Sequence, residues 1–173
     1  MDADATNSLP AFGFLTTVHQ PGSGYYGGYL VLAPGGRPLE FRCTTPVQPS
    51  RAQEILYGAS LRSYLLGEII GGALLTEATT PVAAIVIDSE EMAEIAALRR
   101  EPVIIVDAGG QATLATPEFA GTNQPTADEL LAPLTARVDL LEPFDRIRAA
   151  LREAHDMAAH HAEQHDDDAR HAA

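Results

Sequence analysis

Apolar and polar residues alternate in short runs over the first quarter of the chain, which is typical of half-buried β-strands. In the third run, Leu39, Phe41 and Cys43 alternate with charged neighbours, so we expect these three side chains on the buried face. Gly35 and Gly36 lie between the second and third runs and favour a tight turn. The pattern predicts an antiparallel meander of three strands, AFGFLTTV (11–18), GGYLVLA (27–33) and PLEFRCT (38–44).

The pattern then changes to helical spacing interrupted by two continuous apolar runs. Ser50 and Gln53 have the spacing of a capping box, so a helix is expected to begin at Arg51, and Gly58 is expected to interrupt it. The two apolar runs are rich in β-branched residues, as is typical of strands buried on both faces. The predicted elements are helix 51–75, strand 81–88, helix 89–101, strand 102–108, a candidate short strand at 112–115, helix 126–134 and helix 142–161.

The order β-β-β-α-β-α-β followed by helices predicts an α/β fold with a mixed sheet. Three antiparallel strands precede two strands reached by helical crossovers, which are right-handed in nearly all known cases. Length favours one domain, which we assign to residues 11–158. Residues 1–10 are predicted to be a disordered N-terminus, and the His- and Asp-rich residues 159–173 a disordered tail.

Charge and composition narrow the classes of partner. The 173 residues carry a formal net charge of −13, which opposes broad nucleic-acid binding because such binding depends on basic surface. A small patch of Arg37, Arg42, Arg51 and Arg62 is the one local basic concentration, and binding of nucleic acid is expected only through this patch or indirectly.

The single cysteine excludes an internal disulfide. The acidic N-terminus lacks a secretion signal and no apolar run reaches membrane length, so we expect a cytoplasmic protein without membrane contact.

Four acidic residues are candidates for metal-ion chemistry. Asp88 and Asp107 each end a buried strand, and ligands of open α/β sheets bind at the carboxyl ends of the strands. Glu54 lies in the first turn of one predicted helix and Asp145 in the first turn of another. A structural role is the commoner one for three of them. Glu54 would be a solvated acid stabilised by the helix dipole, Asp88 a strand-end acid before the Ser89 cap, and Asp145 a cap or an ion-pair partner of Arg148.

The chain resembles the ribonuclease H-like fold over residues 11–155. The resemblance depends on the opening strand and hairpin FLTTVHQPGSGYYGGYLVL, the helix RAQEILYG, the strand VAAIVIDS and the helix EPFDRIRAALREA. It implies that Glu54, Asp88 and Asp145 match the second, third and fourth acids that hold two divalent metals in enzymes of that fold. The position of the first acid falls at Thr16 or Thr17. A hydroxyl cannot replace a bridging carboxylate, so the resemblance implies a scaffold more than a metal-dependent enzyme.

The leading hypothesis is therefore a non-catalytic accessory or adaptor subunit that contacts another protein and uses no cofactor. Two surfaces are candidates for that contact: Tyr25 and Tyr26 in a glycine-rich hairpin, and an apolar stripe on the last helix. Aromatic side chains are frequent anchors of protein interfaces. The stripe consists of Phe144, Ile147 and Leu151, for which docking on the sheet is the commoner use.

Two alternatives remain open from the sequence. One is a divergent metal-dependent nuclease or phosphotransferase that uses Glu54, Asp88 and Asp145, with Asp107 in place of the absent acid and Mg²⁺ as its cofactor. The other is a small-molecule binding module in the same crevice. The late histidines, including His161 and His165, have helical spacing for a metal, but we interpret them as part of a solvated tail.

Overall fold

A six-stranded mixed sheet forms the centre of the molecule. The structure is a computed structural model that describes residues 10–115 and 124–171. The strand order is β3-β2-β1-β4-β5-β6, with β1 antiparallel to β2 and parallel to β4. The expected mixed α/β fold is confirmed. The strands are β1 (Phe12–Gln20), β2 (Gly24–Leu32), β3 (Pro38–Cys43), β4 (Ala84–Ile87), β5 (Val103–Val106) and β6 (Ala112–Leu114).

The predicted helix 51–75 is divided into several segments. Ser50 and Gln53 form the expected capping box, and Gly58 ends the first segment with a positive φ of 51°, a conformation that glycine adopts at little cost. The helical elements are α1 (Arg51–Tyr57), a 3₁₀ turn (Gly58–Ser60), α2 (Leu61–Ser63), a π-helical segment (Tyr64–Gly71), α3 (Gly72–Glu77), a 3₁₀-helical segment (Glu90–Ala97), α4 (Ala127–Thr135) and α5 (Glu142–His171).

Helices cover both faces of the sheet, and two adjacent glycines of β2 allow them to approach closely. A Cβ atom on Gly27 would lie 2.4 Å from Ile70 of the π-helical segment. A Cβ atom on Gly28 would lie 2.4 Å from Ile147 of α5 on the opposite face. On the α5 face, the ring of Phe14 meets that of Phe144 edge-on at 5.4 Å, so α5 packs against β1 and β2.

Helix α5 is longer than the sequence predicts. It continues to His171 and so includes most of the segment expected to be a disordered tail. Alanine, glutamate, glutamine and arginine, which have high helix propensity, make up part of this segment. The predicted disordered N-terminus falls, except for Pro10, on residues 1–9, which lie outside the described part of the chain.

Strand β3 presents the opposite face from the one expected. Leu39 and Phe41 are 42% and 41% exposed, and Cys43 is also exposed. The side chain of Glu40, by contrast, is only 8% exposed. Phe41 pairs with Leu30 and therefore lies on the α5 face of the sheet. The expectation that its apolar residues are buried was wrong, because α5 packs mainly on β1 and β2.

Candidate functional site

The carboxylate of Asp88 lies at the carboxyl end of the parallel strands, beside the first strand. β1 and β4 are aligned so that Leu15 pairs with Ile87, which places Thr16 next to Asp88. Thr16 is 1% exposed, and its Oγ1 donates a hydrogen bond to Oδ2 of Asp88 at 2.8 Å. The position that the ribonuclease H-like resemblance gives to the first acid therefore holds a hydroxyl that already serves as a donor to the neighbouring acid.

A guanidinium from α5 binds the same carboxylate. Nη2 of Arg148 donates to Oδ2 of Asp88, and Nη1 of Arg148 donates to Oδ1 of Asp145 at 3.0 Å. The Asp88 side chain is only 13% exposed. Burial raises the pKa of Asp88 above its ordinary value, opposed by the hydrogen bond from Thr16 and the charge of Arg148. Two of the candidate acids are thus held together by a positive charge that the chain itself supplies.

Three of the four candidate acids line one cavity. Asp88, Asp107 and Asp145 border a space of about 330 Å³. One carboxylate oxygen of Asp107 is hydrogen-bonded within the turn between β5 and β6. This oxygen, Oδ1, accepts hydrogen bonds from the backbone N–H groups of Gly109 at 2.8 Å and Gln111 at 2.9 Å. The remaining lining residues are Val106, Ala108, Leu141, Phe144 and Arg148.

Glu54 does not join this cavity. It lies on α1, forms an ion pair with Arg51 at 3.1 Å, and borders a separate space of about 290 Å³ with His19, Tyr25 and Arg62. In residues 10–115 and 124–171, no group of three His, Cys, Asp or Glu side chains is placed to hold a metal ion. The donor set also does not fit two hard cations, because one expected ligand is a donating hydroxyl and two others already bind a guanidinium.

Most of the predicted contact residues are buried. Tyr26, Phe144, Ile147 and Leu151 are between 0% and 3% exposed and belong to the core under α4 and α5. They are therefore not available to a partner in this fold, and that expectation is corrected: the apolar stripe of α5 docks on the sheet of its own chain. Tyr26 also donates to Oε1 of Gln20 at 3.1 Å.

Tyr25 is half-buried on the face of the sheet opposite α5 and lies beside Arg62 of α2. Its ring lies 4.4 Å from that of His19, and the guanidinium of Arg62 lies 5.7 Å from its centroid. Arg62 itself pairs with Glu91 at 2.7 Å. Three of the four arginines of the expected basic patch have acidic neighbours, since Arg42 pairs with Glu40 and Arg51 with Glu54.

An exposed apolar surface lies where the sequence analysis placed no contact site. α1 contains no buried residue, and its consecutive residues Ile55, Leu56 and Tyr57 are 67%, 81% and 37% exposed. The ring of Tyr57 stacks on that of Tyr64 at 4.3 Å. We call Ile55, Leu56 and Tyr57 the α1 surface. A helix that docks on its own sheet buries a single apolar stripe, and three consecutive bulky apolar residues do not all fit on such a stripe. This pattern in the sequence could have indicated that part of α1 stays exposed.

Comparisons with known proteins assign no family. No protein-family model matches this chain, and no curated protein matches it. Among solved structures, the chain is similar to Ciona intestinalis endonuclease V in complex with a 24-mer DNA containing an inosine followed by a ribo-adenosine, with 13% identity and a TM-score of 0.34. The similarity covers 60% of this chain and 47% of that one, so this chain spans about half the length of that nuclease. Among the described residues, no helix has the length and apolar content needed to cross a membrane.

Proposed function

We propose that this chain is a non-catalytic accessory subunit that acts by contacting another protein. The observation that carries the proposal is the position of Arg148, whose guanidinium binds Asp88 and Asp145 at the carboxyl edge of the sheet. A carboxylate bound to a guanidinium has lost much of its attraction for a second cation, because the local charge is already compensated. The pair therefore occupies a place where a metal-dependent enzyme needs unpaired acids.

The topology agrees with the resemblance to the ribonuclease H-like fold, which we retain as part of the proposal. Three antiparallel strands lead into two parallel strands that are each reached through helical segments. Thr16 on the first strand and Arg148 on the last helix are the two departures from an acidic metal site. Both act in the same direction, since one removes a negative charge and the other adds a positive one.

The α1 surface supplies the contact area that the proposal needs. Burying an exposed Ile or Leu side chain against a partner contributes about 1.5–3 kcal/mol, and Ile55 and Leu56 are both largely exposed. The capping box and the ion pair between Arg51 and Glu54 hold the helix in shape without any buried residue. We infer that the partner is a protein with an apolar groove, and that the contact takes place in the cytoplasm, where the exposed thiol of Cys43 stays reduced.

Affinity purification from the native host tests this proposal. The full chain is compared with Leu56→Asp and with Leu98→Asp, a matched change at another exposed leucine. We expect one protein in stoichiometric yield with the wild type and with Leu98→Asp, and at least tenfold less of it with Leu56→Asp. Binding of the purified partner, measured by calorimetry, should follow the same order. Recovery of the chain alone, or equal recovery with all three forms, contradicts the proposal.

A second candidate function is a metal-dependent nuclease or phosphotransferase. The observation that favours it is the shared cavity lined by Asp88, Asp107 and Asp145. It requires a divalent ion to displace Arg148 from both carboxylates, which is the weakness of this candidate. Binding of Mg²⁺ or Mn²⁺ to the intact chain separates the two functions.

A further inference from the structure

Strand β3 is an edge of the sheet with apolar side chains turned outward. It pairs with β2 on one side, and in the described part of the chain no strand pairs with its other side. Phe41 is 41% exposed on the α5 face. An exposed edge strand with apolar side chains is a ready template for another strand, so this edge is a candidate interface.

The backbone groups of β3 that point away from β2 can be identified by alternation. Tyr25 and Val47 exchange two hydrogen bonds, and the N–H of Thr44 donates to the carbonyl of Gly27. In an antiparallel pair, hydrogen-bonded positions recur at every second residue. Glu40 and Arg42 therefore bond to β2, whereas the N–H and C=O groups of Phe41 face outward and are the ones that an added strand would meet.

The charge on this edge selects which strand can be added. The buried carboxylate of Glu40 accepts hydrogen bonds from the N–H groups of Thr79 and Thr80 and pairs with Arg42. A charge pointing inward on an edge strand normally prevents pairing, because an incoming strand would cover it further. An incoming strand with a positive group opposite Glu40 removes that penalty.

A second copy of β3 provides that positive group. If two β3 strands run antiparallel with Phe41 opposite Phe41, then Glu40 of each copy faces Arg42 of the other. Phe41 of each copy then uses its outward backbone groups, as the alternation requires. We propose that β3 pairs with β3 of a second copy of this chain in this register, which joins two six-stranded sheets into one. Opposite charges and paired aromatic side chains on facing strands each stabilise such a pairing.

The dimer is expected to be reversible. One short strand buries less area than the interfaces of permanent dimers, and small interfaces belong to transient complexes. The net charge of −13 on each copy also opposes association, although a physiological salt concentration screens charges beyond about 8 Å. We therefore expect a dissociation constant in the micromolar range. This inference is independent of the proposed function, because β3 and the α1 surface are different elements.

Sedimentation velocity over a range of micromolar concentrations tests the dimer. The wild type and the control Leu98→Asp should dimerise equally. Phe41→Asp places two carboxylates opposite each other at the symmetry axis, and Arg42→Glu places one opposite Glu40, so each should raise the dissociation constant at least tenfold. A wild type that stays monomeric at several hundred micromolar, or a dimer unaffected by both changes, overturns the proposal.

A disulfide test checks the register. Facing residues of a hydrogen-bonded antiparallel pair have Cα atoms about 5.5 Å apart, which suits a disulfide. Phe41→Cys combined with Cys43→Ser should therefore form a covalent dimer under mild oxidation. The wild type should not, because the two copies of Cys43 would lie about 13 Å apart along the strands. Absence of the covalent dimer in the folded double variant, or equal cross-linking of the wild type, contradicts the register.

Discussion

Arg148 on the last helix donates a hydrogen bond to the carboxylate of Asp88, sixty positions earlier in the chain at the end of β4. This contact ties α5 to the carboxyl edge of the sheet. It also places a positive charge where the ribonuclease H-like resemblance implies a metal. The pairing therefore has a structural consequence and a functional one, and each can be measured.

Removal of the guanidinium should destabilise the fold. Arg148→Met keeps the apolar stem but leaves the largely buried carboxylate of Asp88 with Thr16 as its remaining side-chain donor. Leaving one partner of such a pair without its counter-charge is costly, although the partial exposure of Arg148 reduces the loss. We therefore expect the free energy of unfolding to fall by about 1–3 kcal/mol. Urea unfolding at neutral pH measures it. Arg152→Met, at an exposed position of the same helix, should change the free energy of unfolding by less than about 0.5 kcal/mol; a loss of the same size there assigns the effect to the helix rather than the pair.

The pKa of Asp88 predicts a specific pH dependence. Burial raises it, so the folded state binds this proton more tightly than the unfolded state does. Asp88 therefore makes stability fall as pH rises from about 3.8, the ordinary pKa, through the raised value. The free energy of unfolding of the wild type, minus that of Asp88→Asn, should decrease over this window and then level off. A difference that increases with pH would mean that Arg148 lowers the pKa more than burial raises it.

Glu40 should show the opposite pH dependence. Burial alone would raise its pKa, but hydrogen bonds from Thr80, Arg42 and Thr79 lower it from 4.5 to about 2. Its contribution is complete above pH 4.5 and is lost as pH falls towards 2. Glu40→Gln should cost about 2–3 kcal/mol at pH 7 and almost nothing near pH 2. Unfolding curves at several pH values, recorded on dilute protein, measure this; a cost independent of pH would assign the loss to packing instead.

The close approach of α5 to the sheet depends on Gly28. An added methyl group would lie 2.4 Å from the side chain of Ile147, so Gly28→Ala must displace α5 or the strand. Overpacking of this kind costs about 1–3 kcal/mol, which thermal unfolding would detect. Gly35→Ala is the matched control, because a Cβ atom there has no neighbour within 4 Å. Equal melting temperatures for the two variants would show that α5 adapts without loss.

The sequence predicted the elements that have a strong local signal. The strand ending at Asp88 is a continuous apolar run, and the capping box at Ser50 marks the helix start; both patterns arise from neighbouring residues. The mixed sheet follows from the order of these elements. Gly58 predicted the break in the helix after Tyr57. The π-helical segment further on was not predicted, because its geometry depends on packing against the sheet.

The features that the sequence did not predict depend on distant residues. The alternation in β3 was recognised, but which face is buried depends on where α5 packs, more than a hundred residues later. The stripe of Phe144, Ile147 and Leu151 indicates an apolar face without saying what covers it. The pairing of Arg148 with Asp88 joins residues that have no local relation, and it is known only once the helix is placed on the sheet.

Titration of the intact chain with Mg²⁺ or Mn²⁺ tests the central claim, that Arg148 already compensates the acids at the carboxyl edge of the sheet. Melting temperature is measured after removal of bound metal and again with the metal at about 10 mM. A site with a dissociation constant of about 0.1 mM would stabilise the fold by about 2.7 kcal/mol, or about 5–10 °C. The account predicts a change within about 1 °C for the wild type. A saturable rise of several degrees that is lost in Asp88→Asn would contradict it.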